Sequence, residues 1–141
     1  MRARDKSKNL CFIAYNNNIK VTISPRFEQT KSKVNSQGFV WFYDVEIENH
    51  TDFIIEMLSH HLQIFYNNGL KENITVSSVI SQRPIIEPNM SLYYTERLCT
   101  PCDSGLAIGV YHAIDLSNTK EFTINIPAFS LDIMDDHHIA N

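Results

Sequence analysis

The stretch FVWFYDVEIE, at positions 39–48, decides the fold of this chain. Large apolar residues stand at every second position of its middle part: Trp41, Tyr43, Val45 and Ile47. Because successive side chains of a β-strand point to opposite faces, this alternation predicts a long strand with one buried face. The segments on either side of the stretch show the same period.

Strand signals dominate the rest of the chain as well. The further predicted strands cover residues 19–23, 58–66, 74–80, 92–95, 106–114 and 122–133. The NNG string at 67–69 predicts a hairpin turn, because Asn and Gly adopt positive φ at low cost. Pro84 and Pro88 bracket an extended pair that we expect to cross from one sheet to the other. No segment has the period of an amphipathic helix, so we predict an all-β chain, an antiparallel β-sandwich of about seven to eight strands, with a small barrel as the alternative.

Length and charge limit the classes of function. A chain of 141 residues suits one domain with a single core. The formal net charge of −4 argues against a dedicated nucleic-acid binder. No apolar run approaches the ~20 residues that span a membrane. We therefore expect a cytoplasmic protein that binds neither nucleic acid nor membrane, with a basic tail at 1–18, a folded domain at 19–133 and a polar tail at 134–141.

Several short strings follow one another in an order that resembles the ApaG family of small bacterial proteins. They are VWFYDVEIEN at 40–49, LSHHLQI at 58–64, PIIEP at 84–88, LYYT at 92–95, TP and GVY at 100–101 and 109–111, and FTINIPAFSL at 122–131. The resemblance implies an immunoglobulin-like or fibronectin-III-like sandwich and no established catalytic activity. The family's domain also occurs in multidomain eukaryotic proteins, including an F-box substrate adaptor, which points by analogy to protein binding.

The segment VSSVISQR at 76–83 stands where many members of that family carry Gly-x-Gly-x-x-Gly, a proposed pyrophosphate loop. Aligned on the proline that follows, those glycine positions hold Val76, Ser78 and Ser81. Glycine lets backbone N–H groups approach a phosphate closely, and valine removes that advantage. We therefore predict that 74–80 is a sheet strand whose small residues allow another segment to pack closely. The alternative is a binder of phosphate, pyrophosphate or a nucleotide through Ser78, Ser81 and Arg83.

A C-x-x-C pair, Cys99 and Cys102, precedes the predicted strand at 106–114. A redox pair of this spacing lies at a helix N-terminus, which lowers the pKa of its first thiol. A turn and a strand follow here, and the ligand spacing of a structural zinc site is missing. We predict a reduced pair in a loop, with a redox or metal role as the alternative.

His60 and His61 are neighbours on a predicted strand, so their rings point to opposite faces and cannot bind one metal ion together. By the resemblance, His61 corresponds to the family's histidine, while His60 and Leu62 replace its arginine and tryptophan. We predict that His61 is a partly buried structural residue. The alternative is divalent-cation handling by the histidines and the DDHH string at 135–138; our prediction is no metal site and no cofactor.

No G-x-S-x-G elbow or other nucleophile set occurs in the sequence, so we predict that the chain is not an enzyme. We predict instead a non-enzymatic protein-interaction module, because a small sandwich offers sheet edges and faces to a partner. The predicted interaction surface consists of Trp41, Phe42, Tyr43, His61 and Arg83. We also predict that two copies can form a homodimer through an edge strand.

Overall fold

The computed structural model describes residues 10–28 and 38–133. Its strands are β1 (Phe12–Asn16), β2 (Ile19–Phe27), β3 (Phe39–Asn49), β4 (Ile55–Tyr66), β5 (Lys71–Ile74), β6 (Ile85–Ile86), β7 (Ser91–Thr100), β8 (Ser104–Asp115) and β9 (Lys120–Asp132). A single turn of 3-10 helix, Ile80–Gln82, lies between β5 and β6. None of the helical structure in these residues is long and apolar enough to cross a membrane.

The strands form two sheets in which every pairing is antiparallel. Sheet A has the order β1-β2-β3-β7, and sheet B has the order β5-β4-β8-β9, with β6 paired to the start of β4. The predicted antiparallel β-sandwich is therefore confirmed. The described residues contain nine strands rather than seven or eight.

The stretch 39–48 lies in β3, one of the two central strands of sheet A. Its alternation is confirmed, because Trp41, Tyr43, Val45 and Ile47 are all buried between the sheets. The indole Nε1 of Trp41 donates to the hydroxyl of Thr100, 3.2 Å away at the end of β7. The predicted alternation of 58–66 is also present in β4, with His60, Leu62, Ile64 and Tyr66 buried.

The predicted hairpin turn and the predicted crossing are both present in the structure. Residues 67–69 connect β4 to β5, and Gly69 has φ 90° there. The pair 85–86 forms β6 on sheet B, and the chain then enters β7 of sheet A. The predicted crossing between sheets is thus confirmed.

Two predicted boundaries are wrong. Residues 74–80 do not form a strand: β5 ends at Ile74, and a loop and the 3-10 turn follow. The N-terminal tail predicted at 1–18 also includes too much, since Phe12–Asn16 forms β1 and pairs with β2. The Asn16 side chain secures this strand, because its amide donates to the Asn125 carbonyl at 3.2 Å and its oxygen accepts the Asn125 N–H at 3.0 Å. The remainder of the predicted tails, at 1–9 and 134–141, lies outside the described residues.

Asn49, the last residue of β3, fastens one end of the sandwich. Its side chain is fully buried. The amide nitrogen donates to the carbonyls of Phe53 and Ile86, both at 2.9 Å. The amide oxygen accepts the N–H and the hydroxyl of Thr51, at 2.9 and 2.6 Å. One side chain therefore joins β3, the turn that leads to β4, and β6.

Candidate functional site: the outer face of sheet B

The two outer faces of the sandwich differ in chemistry. On sheet A, charged side chains are paired with neighbours on adjacent strands. Arg26 makes two hydrogen bonds to Asp44, at 3.0 and 3.1 Å, and this contact holds the pKa of the Asp44 carboxyl below its usual range. The Tyr93 hydroxyl donates to Glu46 at 2.7 Å. These polar groups are therefore satisfied within sheet A.

The outer face of sheet B carries an apolar strip on its two central strands. The strip consists of Phe65 on β4 and of Leu106, Ile108 and Val110 on β8. Phe65 is 39% exposed, Leu106 46% and Ile108 38%, whereas Val110 is half-buried. Phe65 lies directly opposite Leu106 in the register, so the side chains form one continuous surface.

Polar and basic groups surround the strip. Lys71 of β5 lies opposite Phe65, and His61 lies opposite Val110. At the other end of the same face, the Arg83 guanidinium forms an ion pair with Glu56, with Nε 2.8 Å from the carboxylate oxygen. The face therefore combines exposed aliphatic and aromatic area with a lysine beside Phe65 and an internal ion pair further away.

Of the predicted interaction surface, the structure brings together only His61 and Arg83, both on this face. Trp41 and Tyr43 cannot belong to an exposed surface, because they point inward from β3 and are 2% and 4% exposed. Phe42 lies on the opposite side of the sandwich, on the outer face of sheet A, where its ring contacts the Arg26 guanidinium at 5.4 Å.

The two neighbouring histidines differ in burial. His61 is exposed, whereas His60 is buried and packs against the Tyr111 ring with centroids 5.9 Å apart. Neither ring nitrogen of His60 has a hydrogen-bond partner. Burial, assisted by the neighbouring His61, lowers the pKa of His60, so its ring is neutral at neutral pH. The prediction of opposite faces is correct, and the prediction that His61 is partly buried is wrong.

The segment 75–84, between β5 and β6, closes the seam between the two sheets. β4 pairs with β5 at 62–65 and with β6 at 55–56, so the segment runs beside the unpaired stretch of β4 between them. Ile80 and Ser77 are buried, at 1% and 3% exposure. The Ser77 hydroxyl donates to the inward-pointing carboxylate of Glu96 on β7 and accepts the Ile80 N–H at 3.2 Å. A single hydroxyl thus connects this segment to the edge strand of sheet A.

Ser81 and Arg83 of the predicted phosphate site already form hydrogen bonds within the protein. Ser78 and Ser81 are exposed, and the Ser81 hydroxyl donates to the Ser78 carbonyl at 3.3 Å. The N–H groups of Ser81, Gln82 and Arg83 donate to carbonyls of the preceding turn. Arg83 is already paired with Glu56. No observation at this segment therefore favours a phosphate ligand.

The cysteine pair is built into the end of β7 and the turn that follows it. Cys99 is exposed, Cys102 is partly buried against the core, and both thiols are free. Between them, the Thr100 hydroxyl accepts from Trp41 and donates to the Cys102 carbonyl at 2.8 Å. These bonds give the turn a packing role. Among the residues that the structure describes, no group of three or more His, Cys, Asp or Glu side chains could hold a metal ion; the DDHH string at 135–138 lies outside them.

A pair of tyrosines occupies the core beside His60. The hydroxyls of Tyr94 and Tyr111 are 2.5 Å apart and buried. Burial raises the pKa of both hydroxyls well above the ordinary value. The pair therefore remains protonated and joins the two sheets by a hydrogen bond.

Comparisons with known proteins agree with this fold. The family model described as the ApaG domain matches residues 29–115. The Protein ApaG of Methylocella silvestris is 33% identical over 123 residues, which cover 86% of this chain and 92% of that protein. The Protein ApaG of Brucella suis biovar 1 is 28% identical over 130 residues, covering 92% of this chain and 99% of that protein.

A solved structure gives the same picture. A crystal structure from Bordetella pertussis, described as an ApaA protein, superposes with a TM-score of 0.73 at 25% identity. The superposition covers 81% of this chain and 92% of that one. Because the family model matches more than half of this chain, the chain belongs to the ApaG domain family.

Proposed function

We propose that the chain is a non-enzymatic protein-interaction module that binds a partner protein through the outer face of sheet B. The apolar strip of Phe65, Leu106, Ile108 and Val110 carries this proposal. Apolar side chains that adjoin one another on one sheet face favour a docking surface over scattered exposure.

The dimensions of the strip favour a transient complex. Exposed apolar patches of a few hundred Å² are common at functional surfaces, whereas a stable interface buries roughly 800 Å² on each partner. A partner therefore also contacts the polar margin. Since Lys71 and His61 lie on that margin, a partner with an apolar centre and acidic neighbours fits best.

The arrangement of the polar side chains supports a non-enzymatic role. The described carboxylates near hydroxyl groups serve strand pairing, as in Thr95 with Asp44, or the closed seam, as in Ser77 with Glu96. His60 is buried, and neither of its ring nitrogens has a hydrogen-bond partner. A nucleophile and its base need to meet at a surface that substrate reaches.

We also infer that the sandwich is fibronectin-III-like, hence immunoglobulin-like, and that the chain acts in the bacterial cytoplasm. The sheet orders support the first inference, since the chain crosses between sheets after β3 and before β7, as in Greek-key sandwiches. The bacterial sources of the named relatives support the second.

A matched pair of isoleucines tests the proposed surface. Ile108→Lys places a charge on the strip, and Ile13→Lys places one on the outer face of sheet A, where Ile13 is 49% exposed. Each tagged variant is used to capture proteins from a lysate of the source cell, and captured proteins are quantified by mass spectrometry. We expect a protein that wild type and Ile13→Lys capture and Ile108→Lys loses, and then expect the same order of affinities with that protein purified.

Sedimentation of the purified variants distinguishes a second copy from another partner. Self-association of wild type that Ile108→Lys abolishes would identify the partner as another copy of this chain. If all three proteins capture the same set and sediment alike, the outer face of sheet B is not the binding surface.

A further inference from the structure

An open cleft of about 420 Å³ lies at one end of the sandwich, away from the apolar strip. Its lining comes from the β1–β2 turn, the turn before β4, and the β8–β9 hairpin. The floor is apolar and consists of Ile19, Phe53 and Phe122. The rings of Phe53 and Phe122 meet edge to face, with centroids 6.1 Å apart and planes at 90°. The volume falls in the range of small-molecule sites.

The walls of this end cleft are fixed before any ligand arrives. The Asn49 side chain holds the Phe53 carbonyl at 2.9 Å. Asn16 is bonded in both directions to the backbone of Asn125. In the hairpin, the Asp115 carboxylate accepts the N–H and the hydroxyl of Ser117, at 2.8 and 2.6 Å, through one oxygen. A preformed site loses less conformational entropy on binding than a flexible one.

Opposite charges stand at the mouth of the end cleft. Lys120 and Phe122 alternate on β9, so the ammonium group lies on the same side of the strand as the apolar floor. Asp115 lies opposite Lys120 in the register, and Glu121 also lines the cleft. Within the described part of the chain, Lys120 forms no ion pair with either carboxylate. The second oxygen of Asp115 also accepts no bond there.

We propose that the end cleft binds a free α-amino acid with an aromatic side chain. The aromatic ring lies against Phe53 and Phe122, where edge and face contacts are available. The α-carboxylate binds the Lys120 ammonium, and the α-ammonium binds the free oxygen of Asp115. A zwitterion satisfies both signs of charge at the mouth, which a simple anion or cation does not.

The test is an NMR titration of the full-length, isotope-labelled protein with L-phenylalanine as the probe. We expect saturable shift changes confined to amides of the cleft, including those of Asn17, Phe53 and Phe122. L-phenylalaninamide lacks the carboxylate and 3-phenylpropanoate lacks the ammonium group. Each analogue is expected to bind about tenfold more weakly, because a charge-assisted hydrogen bond is lost.

Two lysine variants provide the matched comparison. Lys120→Gln should weaken L-phenylalanine binding about tenfold and leave binding of the amide unchanged, since the amide has no carboxylate for Lys120. Lys71→Gln, on the margin of the apolar strip, should leave both affinities unchanged. The proposal is overturned if L-phenylalanine gives no saturable shifts up to its solubility limit, if the shifts map elsewhere, or if Lys120→Gln binds as wild type does. The spectra of the variants themselves show whether the fold is kept.

Discussion

Replacing Asn49 by alanine should destabilise the native state by about 3 kcal/mol, a large part of the 5–15 kcal/mol typical of a domain. The change removes four hydrogen bonds. The two donated bonds contribute about 1 kcal/mol each, and the Ile86 carbonyl is then left in a buried site without its donor. The two bonds from Thr51 lie nearer to solvent, where water replaces part of their roughly 1 kcal/mol each.

Urea unfolding, followed by fluorescence of the single tryptophan, measures this loss. The midpoint should fall while the slope with denaturant stays constant, which identifies a change in stability rather than in the unfolded ensemble. Asn73→Ala is the control, because its side chain makes only an exposed bond with Gln63, at 3.1 Å. That change should stay within about 0.5 kcal/mol. A loss below about 1 kcal/mol for Asn49→Ala would refute the view that this side chain holds the end of the sandwich together.

Three further changes test the core and the seam. As pH falls below about 6.5, His60 becomes protonated in the unfolded chain but not in the folded chain, where its pKa is lowered, so the folded state loses stability. His60→Leu should remove up to about 1 kcal/mol of that loss between pH 7 and 5.5, as measured by urea unfolding at each pH. Ser77→Ala should cost about 1–2 kcal/mol and speed hydrogen exchange in the 3-10 turn, because Glu96 loses its partner. Unchanged exchange there would contradict the view that the Ser77 hydroxyl holds this segment against β7. Gly109→Ala should cost more than about 2 kcal/mol by thermal unfolding, since the added Cβ would lie 2.2 Å from the His61 carbonyl oxygen, and a variant of native stability would show that β4 and β8 can separate there.

The long strands could be predicted from the sequence because their pattern and their environment agree. In β3, buried and partly buried positions alternate from Trp41 to Asn49, so the period identifies these core residues. The segment 74–80 has similar β-branched residues but a different fate. The segment does not pair with β4 between the β5 and β6 pairings, and the burial of Ser77 and Ile80 between the two sheets determines its structure. Such a tertiary effect leaves no periodic signal.

The site was harder to predict, although part of the signal was present. The alternation of β4 already placed His60 with Leu62 and Ile64, so the buried histidine could have been found from the period. The resemblance to the ApaG family instead predicted burial for His61. The apolar strip needed the structure, because Phe65 and Ile108 are 43 positions apart and meet only through the β4–β8 register.

The absence of glycine from the segment 76–83 follows from its backbone. By the resemblance to the ApaG family, Val76, Ser78 and Ser81 take glycine positions of that family, yet none of the three has a positive φ here. Val76 is 80% exposed, so its side chain meets no obstacle. The left-handed conformation falls on Arg83, with φ 55° and ψ 59°, where the turn ends and the side chain reaches Glu56. A non-glycine residue in that region is strained by roughly 1 kcal/mol. Within 76–83 the left-handed conformation therefore falls on Arg83, at the ion pair on the outer face of sheet B, and Val76, Ser78 and Ser81 are free to carry side chains.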